Sequence, residues 1–175
     1  MRIGVVSDSH GKRGALKNAL ALLVSKHIDA VLHCGDLCCT SCLRLLDKLD
    51  VPAWLVAGNM DSHLDGLDHA VERSAVTFSY SSVEIPLENG AYLVATHGHD
   101  EALLASLIGG EHFPYICHGH THRARDERVG STRIVCPGAL CGPRHPSFPT
   151  VALLDTSEDR VTFFNILHPD RLVTV

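Results

Sequence analysis

Ile3-Gly4-Val5-Val6-Ser7-Asp8-Ser9-His10 is a short apolar run that ends on polar residues, and the pattern returns twice. It recurs as Ala30-Val31-Leu32-His33-Cys34-Gly35-Asp36 and as Ala53-Trp54-Leu55-Val56-Ala57-Gly58-Asn59-Met60-Asp61. Apolar runs of this length bounded by turn residues read as buried strands, here 3–7, 30–34 and 53–57. Between the first two, residues 12–27 carry Leu16, Leu20, Leu23 and Val24 at helical spacing, with Lys12, Lys17 and Lys26 elsewhere, which predicts an amphipathic helix. A second helix is expected over 40–49, with Thr40 or Ser41 as its N-cap and Leu43, Leu45, Leu46 and Leu49 as apolar positions. Strand–helix–strand–helix–strand implies right-handed crossovers and a parallel sheet.

After about residue 70 the texture becomes richer in β. Strand-like stretches at 82–87 and 91–96 flank Asn89-Gly90, a hairpin signal. A short helix at 100–108 follows, then strands near 115–118, 132–136, 150–154 and 160–167, the last two reading as another hairpin. No linker or repeat interrupts the chain, so one domain over 1–175 is expected, of α/β class with two sheets. Specificity is expected to live in the loop regions of 60–74, 99–114 around its short helix, and 123–131, which the sequence does not fold.

Composition narrows the function. Hydrophobic residues are 45% and charged residues 20%, ordinary for a folded protein and against disorder. No apolar run reaches the ~18 residues of a membrane span, so no membrane association is expected. A net charge of −5 argues against stable nucleic-acid binding. The N-terminus reads as a strand without a signal-peptide pattern, and seven cysteines leave one unpaired in any full disulfide set, so a cytoplasmic setting with reduced thiols is expected.

The decisive fact is what stands at each strand end: Asp8-Ser9-His10, Gly35-Asp36, Gly58-Asn59-Met60-Asp61, His97-Gly98-His99 and Gly119-His120-Thr121-His122. In open α/β sheets, functional groups gather outside the carboxyl ends of the strands. Residues i and i+2 of an extended segment point the same way, so Asp8 with His10, and His120 with His122, can converge on one centre. Each motif alone is an ordinary turn. The five in this order point to a metal site.

This ordered set resembles the calcineurin-like metallophosphoesterase superfamily, and its Asn-x-Asp form and short length resemble the small bacterial and archaeal phosphodiesterase branch. The resemblance spans Asp8 to Gly138. It implies a four-layer α/β/β/α sandwich with two mixed sheets and two divalent metals. By motif, Asp8, His10, Asp36 and His122 would hold one metal, and Asp36, Asn59, His97 and His120 the other, with Asp36 bridging. It also implies dimers or higher assemblies as the family's habit, so a homo-oligomer is a possible state.

The donor set of four His, two Asp and one Asn suits Mn²⁺, taken first, or Fe²⁺, Zn²⁺ or Ni²⁺, better than Mg²⁺ or Ca²⁺. Two such ions can share and acidify a water, whose bridging hydroxide attacks phosphorus in line, and can clamp the phosphate oxygens. Two divalent ions, two carboxylates and one hydroxide sum to one positive charge, which tilts the expectation toward a phosphodiester monoanion; a nearby Asp61 would remove the tilt. A small phosphodiester or phosphate-ester substrate is thus expected. The rivals are a phosphomonoesterase for a small metabolite or phosphoprotein, a protein scaffold of the same fold such as a retromer subunit, and a redox or metal-storage protein built on cysteine. The intact ligand positions argue against the scaffold.

Departures from the family pattern set further expectations. Many relatives place a leaving-group His immediately after the Asn; here it is Met60, so good leaving groups should be favoured unless His99 or His63 serves instead. His99 is expected on phosphate or beside the ligands, and Asp61 on a ligand imidazole, with a turn cap as its alternative. Catalytic candidates are therefore His99, Asp61 and Asn59. Cys136-Pro137-Gly138-Ala139 replaces the branch's Asn-Pro-Gly-Ser, which puts roles for those two polar groups in doubt. His33 and His118 read as packed within strands, and His27, His69, His112, His145 and His168 as surface residues. Cys39-x-x-Cys42 is either a packed pair or a redox or metal pair at a helix start.

Overall fold

In a computed structural model that describes all 175 residues, the three opening runs are strands β1 (Arg2–Val6), β2 (Ala30–His33) and β3 (Ala53–Val56). They pair in parallel, β1 with β2 and β2 with β3. The crossovers are helices α1 (Arg13–Ser25) and α2 (Thr40–Asp47). α1 buries Leu16, Ala19, Leu20 and Leu23, the stripe its periodicity dictates. The N-cap of α2 is Cys39, one residue earlier than expected, and its side chain makes no capping hydrogen bond.

The order continues with α3 (Leu67–Glu72), β4 (Thr77–Ser79), β5 (Ser82–Pro86), β6 (Tyr92–Thr96), α4 (Glu101–Gly110), β7 (Tyr115–Cys117), β8 (Ala124–Val129), β9 (Thr132–Pro137), β10 (Thr150–Asp155), β11 (Arg160–Asn165) and β12 (His168–Val173). One sheet runs β12-β11-β10-β1-β2-β3-β4 and the other β5-β6-β7-β9-β8. Both are mixed. Parallel β1 to β4 join antiparallel β10, β11 and β12, and parallel β6-β7-β9 is flanked by antiparallel β5 and β8.

Two apolar cores hold these layers. Ile3, Val5, Leu32 and Leu154 of the first sheet meet Ile85, Leu93, Cys117 and Val135 of the second. On the opposite face of the first sheet, Val6, Val31, Leu55 and Leu153 meet Leu16, Leu23, Leu43 and Leu46 of α1 and α2. This alternation along β1 follows from the two-residue period of a strand. α4 buries none of its residues and belongs to neither core.

Four elements were not legible. α3 and β4 lie in or just after the segment left as the loop 60–74, β8 replaces the expected loop 123–131, and β12 follows the last expected strand. Three of these, β4, β8 and β12, are edge strands. An edge faces water and needs little apolar alternation. The sequence of β8, Ala-Arg-Asp-Glu-Arg-Val, buries only its first residue, and β12 contains Pro169, a residue that demotes a strand assignment.

Candidate metal centre

The carboxyl ends of β1, β2, β3, β6 and β7 meet at one crevice. The convergence of Asp8 with His10 does not come from extended backbone. Asp8 (φ 53°), His10 (φ 42°), Asp36 (φ 53°), His120 (φ 63°) and His122 (φ 57°) all lie in the left-handed region, as does Cys38 (φ 59°). Non-glycine residues rarely adopt it, and such strain concentrates at functional sites. Five of the seven expected metal ligands are held this way, so left-handed turns beyond the strands, not pleated spacing, aim these side chains.

Close approach demands glycine at two points. A Cβ at Gly58 would fall on the Asp36 carboxylate and its backbone amide, and one at Gly119 would strike Ser7 Oγ and the Cys34 carbonyl.

Asp8 is fully buried. Its Oδ2 accepts from Ser7 Oγ at 2.6 Å and from the His120 amide at 3.1 Å. Its Oδ1 is buried with no hydrogen-bond donor, yet His122 Nε2 lies 3.2 Å away and His10 Nε2 3.9 Å away. His10 Nε2 and His122 Nε2 face each other at 3.3 Å. Burial raises the Asp8 carboxyl above its ordinary range, against the Ser7 hydroxyl and the nearby imidazoles. Asp36 spans both sides: its Oδ2 is 3.7 Å from His10 Nε2 and its Oδ1 is 3.5 Å from His97 Nε2. Burial pushes Asp36 up, but the His97 hydrogen bond, the Met60 amide and the imidazole charges outweigh it, so the carboxyl lies below its usual range. His97 Nε2 also lies 3.2 Å from Asn59 Oδ1.

The outward nitrogens fix the chemistry. His97 Nδ1 is 2.7 Å from the Cys34 carbonyl and His122 Nδ1 is 2.8 Å from the Gly142 carbonyl. A carbonyl only accepts, so both Nδ1 atoms carry the proton, and in the neutral ring Nε2 presents a lone pair inward. That lone pair meets Asp8 Oδ1 on one side, where the edge of His10 also lies, and Asn59 Oδ1 and Asp36 Oδ1 on the other. Acceptors facing acceptors around an unpartnered buried carboxylate oxygen fit a cation on each side. Burial lowers the His97 imidazole, but the Asp36 carboxylate and the Cys34 carbonyl outweigh it, so its pKa lies above the ordinary value.

Asp8, His10 and His122 form one group with metal-holding spacing, and Asp8, Asp36 and His97 another. His120 stands outside both groups, its ring 5.2 Å from that of His97 between centroids; burial first, and then the charge of His97, lower its pKa. The exposed ring of His99 sits at the mouth, 5.4 Å from His97 and 6.3 Å from His120.

Asp61 is placed otherwise than on an imidazole. Its carboxylate accepts from the amides of Leu37 (3.1 Å), Cys38 (2.7 Å) and Gly58 (2.9 Å). It ties the turn carrying Asn59 to the turn carrying Asp36, the capping alternative. It thus lies beside Asp36, and the charge count that favoured a diester loses its tilt. Met60 is 57% exposed and free of the core, while its amide donates to Asp36 Oδ1 at 2.9 Å. His63 is exposed.

Cys136 and Ala139 are fully buried, away from any substrate surface. His33 and His118 are buried as expected; burial lowers their pKa to about 3 and about 4. His27, His69, His112, His145 and His168 are exposed. Sequence reasoning did not reach Ser7 and the Gly142 carbonyl, which orient Asp8 and His122. A backbone carbonyl in an irregular loop leaves no side-chain signal.

A family model described as the calcineurin-like phosphoesterase superfamily domain matches residues 1–159. The chain belongs to this superfamily. It is 26% identical over 161 residues to the phosphodiesterase MJ0936 of Methanocaldococcus jannaschii, covering 90% of this chain and 95% of that protein. Among solved structures, it is similar to an archaeal phosphodiesterase with a TM-score of 0.82 at 23% identity, over 94% of this chain and 99% of the other. The phosphoesterase YfcE of E. coli aligns with a TM-score of 0.74 at 21% identity, over 99% of this chain and 97% of YfcE. These structural matches carry the two-sheet fold. No helix here is long and apolar enough to cross a membrane.

Proposed function

We propose that this chain is a dinuclear-metal phosphodiesterase. The observation that carries the reading is the pair of inward-facing imidazole edges, His122 with His10 and His97 with Asn59, set against the Asp8 and Asp36 carboxylates. In this reading Asp8, His10, Asp36 and His122 hold one ion, and Asp36, Asn59, His97 and His120 the other. When bound, the ions supply Lewis acidity that activates a water for in-line attack on phosphorus and offsets charge on the phosphate oxygens. The mixed nitrogen and oxygen donors suit Mn²⁺, Fe²⁺, Zn²⁺ or Ni²⁺ better than Mg²⁺ or Ca²⁺, and Mn²⁺ is the ion proposed.

The chain's own residues supply the positioning. Asp8 and Asp36 keep their oxygens turned inward through Ser7 and the Met60 amide. The Cys34 and Gly142 carbonyls hold two rings edge-on. His99, exposed at the mouth, meets the substrate phosphate or the departing oxygen. Preference for a diester over a monoester is supported by the likeness to the phosphodiesterase MJ0936.

The test is hydrolysis of bis-p-nitrophenyl phosphate by metal-stripped protein, with Mn²⁺, Ni²⁺, Zn²⁺ and Mg²⁺ added back separately. p-Nitrophenyl phosphate serves as the monoester comparison and Asp36→Asn as the control. Metal-dependent turnover, higher kcat/KM for the diester and at least a hundredfold loss in the variant are expected. Higher kcat/KM for the monoester would move the assignment to a phosphomonoesterase. A chain that binds no metal would remove the reading.

A further inference from the structure

The mechanism above makes no use of the cysteines at the start of α2. We propose that Cys39 and Cys42 form a reversible dithiol–disulfide couple, a modification site for hydroperoxide oxidants beside the metal centre.

The geometry is that of one closed helical turn. Cys39 is the N-cap of α2, with extended backbone (φ −162°, ψ 140°), and its carbonyl accepts the Cys42 amide at 3.0 Å. Four residues so closed keep their end Cα atoms within about 7 Å. A disulfide takes about 4.4–6.8 Å. The two thiols also differ. Cys42 is fully buried, whereas Cys39 is part-exposed, its Sγ 3.3 Å from Ser41 Oγ. Burial first, and then contact with the Cys39 thiol, push Cys42 up to about 12, with the positive charge of Arg13 opposing. Cys39, the part-exposed residue at the edge of the core, is assigned as the thiol an oxidant reaches, and buried Cys42 as the reserve thiol beside it.

Four of the other five cysteines are placed differently, and Cys141, part-exposed like Cys39, lies beyond β9 in another part of the chain. The Cys38 thiol lies 3.8 Å from His10 Nδ1, on the metal-centre side. Cys34, Cys117 and Cys136 are fully buried in strands or at their ends, where apolar surroundings raise their thiols and keep them inert.

The chemistry balances with hydrogen peroxide as the oxidant. Cys39 sulfur attacks one peroxide oxygen and the O–O bond breaks, giving a sulfenic acid and water. Cys42 sulfur then attacks Cys39 sulfur. The S–O bond breaks, the S–S bond forms, and the Cys42 proton leaves with the hydroxyl as a second water. Two thiols have lost two electrons to the peroxide. A dithiol reductant reverses the step by exchange.

The experiment treats the full chain, reduced and freed of reductant, with stoichiometric hydrogen peroxide, followed by iodoacetamide and mass spectrometry of intact protein and peptides. Before alkylation the expected product is about 2 Da lighter; when iodoacetamide is then added in denaturant, so that every free thiol is reached, Cys39 and Cys42 alone are protected, and dithiothreitol restores them. Cys42→Ser should stop at a Cys39 sulfenic acid that dimedone traps. A link that uses Cys38 or Cys34, a disulfide between two chains, or oxygen added to wild type without loss of hydrogen would overturn the proposal. The readout is mass, so the phosphoesterase reading stands or falls separately.

Discussion

Single side chains at the centre carry unequal burdens. Asp61 accepts three amides with two oxygens, so Asp61→Asn replaces one acceptor by a donor facing an N–H. A buried group left unpaired costs about 1–3 kcal/mol. Chemical unfolding should show that loss of stability, together with weaker metal binding, since Asn59 and Asp36 are no longer held together. A variant that keeps full stability and loses only kcat would return Asp61 to a ligand-orienting role. Gly58→Ala sets a methyl on Asp36; at least a tenfold fall in metal-dependent turnover is expected, with native circular dichroism. Met60 presents its side chain to solvent, so Met60→His should fold normally and speed hydrolysis of a diester with a poor alkoxide leaving group. An unchanged rate on that substrate would show that proton donation at this position is not limiting.

The elements differ in how much they hold and in how plainly the sequence declares them. α1 lays Leu16, Ala19, Leu20 and Leu23 on the first sheet, and a Cβ at Gly4 would meet Leu23 Cδ1 at 2.9 Å, so the leucine would have to shift to admit it. Leu20→Ala in this helix should lower unfolding free energy by about 2–5 kcal/mol, measured by urea denaturation, while leaving metal affinity in the folded protein unchanged. An interior strand such as β1, apolar on both faces, is legible because both cores claim it. The edges β4, β8 and β12 are not, because water covers what a neighbour would otherwise cover. The Cys39 cap of α2 is equally hidden: Thr40 and Ser41 are better capping residues, and the left-handed turn at Cys38 decides where the helix starts.

At the scale of the whole molecule, buried histidines link stability to pH. The proton of His33 sits on Nε2 toward Ser9 Oγ, since Nδ1 accepts the Gly35 amide. His33 has its pKa lowered to about 3 and His118 to about 4, against an unfolded value near 6.5. Above that value neither state is protonated and the contribution is full. As pH falls through 6.5, the unfolded chain takes up protons that the folded chain refuses. Each group then removes about 1.4 kcal/mol per pH unit until its own folded value is reached. Urea unfolding of the metal-free chain between pH 7 and pH 5 should show this loss on acidification, with a shallower slope in His33→Gln. Equal slopes would contradict the depressed value at His33. Metal binding adds the opposite lever, about 2.7 kcal/mol at a hundredfold excess over Kd.

Three apolar runs and two leucine-striped intervals are enough to determine the parallel strands β1, β2 and β3, because their residues are buried against layers on both faces. The same runs end on Asp8, Asp36 and Asn59, and the later strands end on His97 and His120, so the location of the crevice was legible too. Only the tertiary structure decided how the side chains meet. The turns at Asp8, His10, Asp36, His120 and His122 are left-handed, a conformation that residue type does not announce and that surrounding contacts must enforce. The same holds for Asp61, whose carboxylate finds amides 24 and 23 residues away along the chain, and for His122, oriented by a carbonyl at Gly142. Local pattern reports what a residue buries; long-range hydrogen bonds fix where its polar atoms point.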